Sequence, residues 1–319
     1  MPNVLVTRQL PGDAVSRLRG VATVDVWRED IEPPYDELVR RGAGAHGIVC
    51  LLTDRIDATL IASARGLRVI SNMAVGYDNI DVQAATSRAI PVGNTPGALT
   101  QTTADLAFAL ILATSRRLTE AERFLREGGW KTWHPSLLLG HDVHGATLGV
   151  IGFGKIGQAV AARAAGFGMR VLFSSRSRVH SNLGEQVDLE VLLREADIVT
   201  LHVPLAPDTR HMIGARELAL MKRTAVLINT SRGAVIDQEA LVEALHRGTI
   251  AAAGLDVMET EPLSQDDPLL RAPNVVLLPH IGSASHATRE RMAAMAVDNC
   301  IAGLRGERLP NCVNPEIYG

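Results

Sequence analysis

The 319-residue sequence predicts an α/β protein made of two doubly wound parallel-sheet units. Three observations carry that expectation. Short β-branched apolar runs alternate with helix-like stretches from end to end. Runs such as Ala225-Val226-Leu227-Ile228 are apolar throughout, as strands covered on both faces are. A glycine-rich turn also stands where one of these strands hands over to a helix.

In chain order, the first series places strands near 4–7, 24–27, 47–50, 69–73 and 91–93, with helices such as 57–64 and 81–88 between them. Thr95-Pro96-Gly97 reads as a linker, because Pro and Gly break both periodicities. A helix that Thr102 is placed to cap follows and runs to about Arg117. The second series begins at Thr147 and continues at 171–174, 198–201, 226–229, 252–257 and 275–278. A last long helix near 287–304 precedes an irregular tail. A chain of this length has room for two domains, each with its own core.

Bulk properties narrow the function classes. A formal net charge of -3 argues against a general nucleic-acid binder, which carries a basic excess. The most apolar run, 104–114, is shorter than the roughly 20 residues that a bilayer span needs. Val4-Leu5-Val6 enters a strand pattern at once, so no signal peptide is expected. Cys50, Cys300 and Cys312 are few and scattered, without metal or CxxC spacing, and the expected location is the cytoplasm.

Thr147-Leu148-Gly149-Val150-Ile151 leads into Gly152-Phe153-Gly154-Lys155-Ile156-Gly157 and then an Ala-rich helix to Phe167. A GxGxxG run in that context is a dinucleotide loop. Its first glycine allows the tight turn, the second admits a pyrophosphate to the backbone, and the third lets helix pack on strand. An NAD-committed loop carries Asp or Glu about 20 residues further on, to bind the ribose hydroxyls. Here Ser175 stands between Ser174 and Arg176, with Arg178 close by. A carboxylate repels a 2′-phosphate, whereas a guanidinium binds it with charge-assisted hydrogen bonds worth roughly 1.5–3 kcal/mol each. NADPH is therefore the expected cofactor, with NADH as the alternative.

Three more strand ends of the second series carry polar residues: Asn229-Thr230-Ser231-Arg232-Gly233, the stretch from Gly254 to Pro262, and Pro279-His280-Ile281-Gly282. Open α/β sheets bind ligands at such ends. Singly, Arg232 reads as a loop charge, Glu261 as a turn residue and His280 as a core histidine. Together they supply a guanidinium, a carboxylate and an imidazole at one sheet edge.

With these segments in order, the chain resembles the D-isomer-specific 2-hydroxyacid dehydrogenase family over essentially its whole length. Asn72 to Asp81 and Thr102-Thr103-Ala104-Asp105 add to the match. Within the family it is most similar to the glyoxylate and hydroxypyruvate reductases, through Gly128-Gly129-Trp130, His280 to Ser285 and Ala302 to Glu307. The resemblance implies a Rossmann-type cofactor domain over 99–285, with a dimerisation arm after Thr102. It also implies a discontinuous flavodoxin-like substrate domain, 1–98 plus 286–319, with the active site in a cleft.

It further implies that Arg232, Glu261 and His280 form the catalytic set. His280 as imidazolium supplies a proton near neutral pH, Glu261 favours its charged form and orients it, and Arg232 holds the substrate's oxygens. Leu52 and the backbone of Val75 and Gly76 are expected at the substrate. Thr103, Val203, Pro204, Thr209, Thr230, Asp256 and Gly282 are expected around the cofactor, with Asp256 accepting from its carboxamide. The expected partners are a small 2-keto acid and a second copy of the chain, with no nucleic acid, membrane or metal. His141, Asp142 and His144 look ligand-like but lack further ligands of clear spacing. Trp130 and Trp133 are interface anchors or pocket walls. D-Lactate dehydrogenase is the alternative activity, since pyruvate differs from hydroxypyruvate by one hydroxyl. A dinucleotide-sensing regulator is the alternative from another class.

Overall fold

The computed structural model describes residues 1–319 and divides into two compact units, Met1–Leu99 with Ser283–Gly319, and Thr100–Gly282. In the first, β1 (Asn3–Val6), β2 (Thr23–Val26), β3 (Gly47–Cys50), β4 (Val69–Asn72) and β5 (Val92–Gly93) form one parallel sheet in the order β2-β1-β3-β4-β5. Helices α1 (Ala14–Arg19), α2 (Tyr35–Gly42), α3 (Ala58–Ser63) and α4 (Val82–Ser87) connect the strands. Asp57 and Asp81 cap α3 and α4 by accepting from Leu60 N and Ala84 N, at 3.0 and 2.8 Å. Such caps are worth about 1 kcal/mol each, which matters for helices of this length.

The unit is completed from the far end of the chain. The C-terminal helix (His286–Leu304), capped by Ser285, lays Met292, Ala296, Val297 and Cys300 into the same core as Val4, Val6 and Val69. Its Gly303 presses on Val69, where an added Cβ would sit 2.4 Å from the valine Cβ. Two buried asparagines fasten the tail. Asn299 donates to Asn94 O and accepts from Asn311 N. Asn314 accepts from Val92 N and donates to Ile90 O and Thr86 Oγ1.

In the second unit, β6 (Thr147–Ile151), β7 (Arg170–Ser174), β8 (Glu185–Gln186), β9 (Ile198–Leu201), β10 (Val226–Asn229), β11 (Ala252–Leu255) and β12 (Val275–Leu277) form a parallel sheet. Its order is β12-β11-β10-β9-β6-β7-β8, so the direction of winding reverses between β6 and β9. Strands β9 and β10 are buried along their whole length, as their mostly apolar runs lead one to expect, with Thr200 and Asn229 the buried polar residues among them. Helices α7 (Lys155–Ala164), α8 (Leu189–Glu195), α9 (Ala215–Leu220) and α10 (Gln238–Arg247) connect them. Helix α5 (Thr100–Ser115) packs on α7, β10 and β11.

Some boundaries differ from the sequence-based expectation. Helix α5 begins at Thr100, so Thr102 lies inside its first turn and does not cap it. Strand β11 ends at Leu255, because Asp256 turns its carboxylate to the next loop. Strand β8 is two polar residues long and carries no periodicity to read. Helix α6 (Leu118–Arg126) has no buried residue, and Leu118, Leu125, Trp130, Trp133 and Leu139 of this stretch are exposed. No helix is long and apolar enough to cross a membrane. The C-terminal helix is α11 in chain order.

Candidate active site

The carboxyl ends of β6, β7, β9, β10, β11 and β12, with Thr103 of α5, carry the candidate residues of the second unit. At β6, Gly152 turns with φ +91°, and a Cβ there would lie 2.6 Å from His202 O. Gly157 packs so closely that a Cβ would lie 2.1 Å from Gly152 O. Gly154 is the opposite case, because a Cβ would meet nothing within 4 Å. The open space lies at the N-cap of α7, where free N–H groups attract phosphate. Phe153 is buried and stacked on Phe173, with ring centroids 3.7 Å apart, so only its backbone faces a ligand. Lys155 is exposed at the first turn of α7, while Ile156 packs on the core beneath it.

After β7, the loop 175–179 is shaped by Gln186 of β8. Its Nε2 donates to Ser175 O and Ser177 O, and its Oε1 accepts from Val179 N. Ser175, Arg178, His180 and Ser181 line an open concavity of about 720 Å³. The two arginines differ in their neighbours. Arg176 pairs with Asp208 at 3.3 Å, both side chains being exposed, whereas Arg178 is exposed without an ion pair. After β9, Thr209 spends its hydroxyl inside its own loop, donating to Pro204 O and accepting from Ala206 N, with Val203 half-buried beside it.

Beyond β10, the buried Asn229 folds the loop that carries Arg232. Its Oδ1 accepts from Ser231 N and Ser231 Oγ, and its Nδ2 donates to Arg232 O at 2.9 Å. Arg232 itself donates to Ser231 O. Gly233 locks this loop to the one after β11, since a Cβ would fall 1.8 Å from the Met258 backbone. Thr230 is buried with a hydroxyl that finds no partner in the protein.

The loops after β11 and β12 are stapled by Asp256, which is 1% exposed. Its two oxygens accept from Ile281 N and Gly282 N, each at 2.7 Å, and its carbonyl accepts from His280 N. Burial outweighs these donors and the His280 charge, and holds the Asp256 carboxyl above its usual range. Both oxygens expected at the cofactor carboxamide are thus engaged by backbone. Thr103 of α5 donates to Gly282 O at 3.0 Å from the other side.

His280 takes a left-handed backbone, φ +54°, and its Nδ1 meets Glu261 Oε2 at 2.7 Å. Glu261 Oε1 accepts from Met258 N at 2.9 Å. Burial pushes the Glu261 carboxyl up, but the hydrogen bond and charge of His280, the Met258 N–H and the Arg232 charge together leave it below the usual range. A carboxylate that binds one imidazole nitrogen fixes the ring and leaves the other nitrogen to exchange a proton.

The dinucleotide fits these residues. The orphaned Thr230 hydroxyl, the space beside Gly154 and the reversal of winding between β6 and β9 all mark the same sheet edge. In the first unit, Leu52, Val75 and Gly76 lie on half-buried loops after β3 and β4. His141, Asp142 and His144 line a small cavity, but no three metal-ligating side chains are placed to hold an ion. Sequence reasoning missed Gln186, which bonds only backbone atoms of the 175–179 loop, and Asp208, which no spacing links to Arg176. The Asn229 clamp has one signal in the sequence, an Asn at the end of an apolar strand.

The D-isomer specific 2-hydroxyacid dehydrogenase NAD-binding domain matches residues 108–282. A glyoxylate reductase of Korarchaeum cryptofilum is 53% identical over 321 residues, which cover 99% of this chain and 97% of the relative. The crystal structure of a Thermus thermophilus protein superposes with TM-score 0.93 at 51% identity, covering 98% of this chain and 99% of the other. The NADPH-dependent glyoxylate/hydroxypyruvate reductase of Sinorhizobium meliloti, solved with NADP and malonate, gives TM-score 0.86 at 34% identity, over 98% and 97% of the two chains. The cofactor class is a nicotinamide dinucleotide, and the chain belongs to the D-isomer specific 2-hydroxyacid dehydrogenase family.

Proposed function

We propose that the chain reduces small 2-keto acids, glyoxylate and hydroxypyruvate foremost, to D-2-hydroxy acids with NADPH as the preferred reductant. The observation that carries the reading is the His280–Glu261 pair at 2.7 Å, on the sheet edge that also bears the dinucleotide loop. When bound at the glycine loop, a reduced nicotinamide would provide the hydride for the carbonyl carbon. His280 donates a proton to the developing alkoxide, and Glu261 holds its ring in place through Nδ1. In the second unit Arg232 is the group to hold the substrate's oxygens, and in the first unit the Val75 and Gly76 N–H groups are the candidate donors to a carboxylate. NADPH is supported by Ser175 in place of a carboxylate and by the exposed Arg178 beside it. Glyoxylate and hydroxypyruvate are supported by the names of the relatives above.

A homodimer through α6 and the segment after it is part of the same reading. It is supported by the row of exposed Leu118, Leu125, Trp130 and Trp133, which nothing in the chain covers.

The test is the initial rate of NADPH and NADH oxidation with glyoxylate, hydroxypyruvate and pyruvate in parallel. NADPH oxidation fastest with the first two is the expected result. Pyruvate as the best substrate points instead to D-lactate dehydrogenase, and equal rates with NADH remove the role given to Arg178. Dinucleotide binding without turnover of any keto acid returns the sensing alternative.

A further inference from the structure

Strands β3 and β4 are parallel neighbours, with Cys50 opposite Asn72, so the loops 51–54 and 73–79 leave the sheet side by side. Three consecutive carbonyls of the second loop are each held by a donor of the same unit. Ala74 O accepts from Thr95 N, Val75 O from Asn94 Nδ2 and Gly76 O from Asn72 Nδ2, at 2.9, 2.8 and 2.9 Å. The N–H groups of Val75 and Gly76 have no acceptor within that unit, and both residues are half-buried. Successive amides without an internal acceptor, on a loop whose carbonyls are already held, make a cradle that can bind an anion with little reorganisation.

One side chain ties the cradle to its neighbour. Asn79 Oδ1 accepts from Asn72 Nδ2 at 3.1 Å, the same nitrogen that holds Gly76 O. Its own Nδ2 donates to Leu51 O and Asp54 O, at 3.0 and 2.9 Å. The loop 51–54 is braced in turn by the buried Asp54, which accepts from Leu51 N and Thr7 Oγ1. Only an amide both accepts on one side and donates twice on the other. We propose that Asn79 is a positioning residue that fixes the Val75–Gly76 carboxylate cradle against Leu52, and so sets which short 2-keto acids fit. The proposal rests on the function given above.

The test compares Asn79→Asp with Asn94→Asp, which touches Val75 O but not the Leu51 loop. Asn79→Asp turns a carboxylate onto two carbonyls. Its KM for glyoxylate is expected to rise roughly tenfold. Its KM for NADPH stays within about twofold, and its preference for glyoxylate over a longer 2-keto acid shrinks. Towards acid pH its KM recovers, because the protonated acid donates again. Asn94→Asp raises the KM of every keto acid alike and leaves the size preference unchanged. A purely structural role instead lowers Tm and kcat and raises both KM values together, which overturns the proposal. Unmoved keto-acid KM in both variants overturns it while the parent function stands. Absence of wild-type turnover overturns both.

Discussion

Glu261 concentrates several demands on one side chain, for it holds the His280 ring, anchors the Met258 N–H and faces the Arg232 charge. Glu261→Gln keeps the size and loses the charge. A fall in kcat of about a hundredfold or more is expected, with NADPH affinity nearly unchanged. The same carboxyl makes stability depend on pH. Its folded-state pKa lies below the ordinary 4.5, so its contribution is complete above that value and is lost as pH falls through the folded one. Thermal unfolding of wild type and variant at a series of acid pH values should therefore show the Tm gap closing as pH drops. At this scale the glycine turn and the pairing of His280 with Glu261 were within reach of the sequence, because each residue sits in a run whose types fit only a few chemistries. The Asn79 and Asn229 clamps were not. A side-chain amide folding a loop leaves no period, and its partners are backbone atoms that any sequence supplies.

Among the elements, the proposed preference for NADPH rests on the β7–β8 connection. Gln186 fixes the loop, Arg178 stands exposed, and Arg176 is drawn to Asp208. Arg178→Ala should raise the KM for NADPH about tenfold, the size of one charge-assisted hydrogen bond, and leave that for NADH alone. Asp208→Asn should lower the NADPH KM modestly, since Arg176 no longer has a competing carboxylate, and by less in high salt. Initial rates with both cofactors at two ionic strengths check each expectation. The arginines were visible in the sequence, but the competitor was not, for Asp208 lies 32 residues away on another loop. Elements with strong patterns were likewise readable: strands β3, β9 and β10 fall where their apolar runs end. The start of α5 was misplaced because Thr100, Thr102 and Thr103 all suit a cap, and local sequence does not choose among them.

For the molecule as a whole, the proposed homodimer rests on the exposed apolar side chains of α6 and the tryptophans that follow it. Light scattering on a sizing column should give twice the mass of one chain. Leu125→Glu combined with Trp133→Ser should shift the protein to a single-chain mass without unfolding either sheet. The two-unit plan was readable from the two series of strands, whereas the dependence of the first unit on α11 came only from the shared core. That dependence has a consequence in time. The ribosome releases β1 to β5 first, and then all of Thr100–Gly282, before the helix that covers Val69 and Cys50's strand emerges. At about 5–20 residues per second the early sheet waits on the order of 10–40 s with one apolar face bare. The middle unit is encoded without interruption, so a chain released from the ribosome after Gly282 should present chaperones with one complete unit joined to an incomplete one.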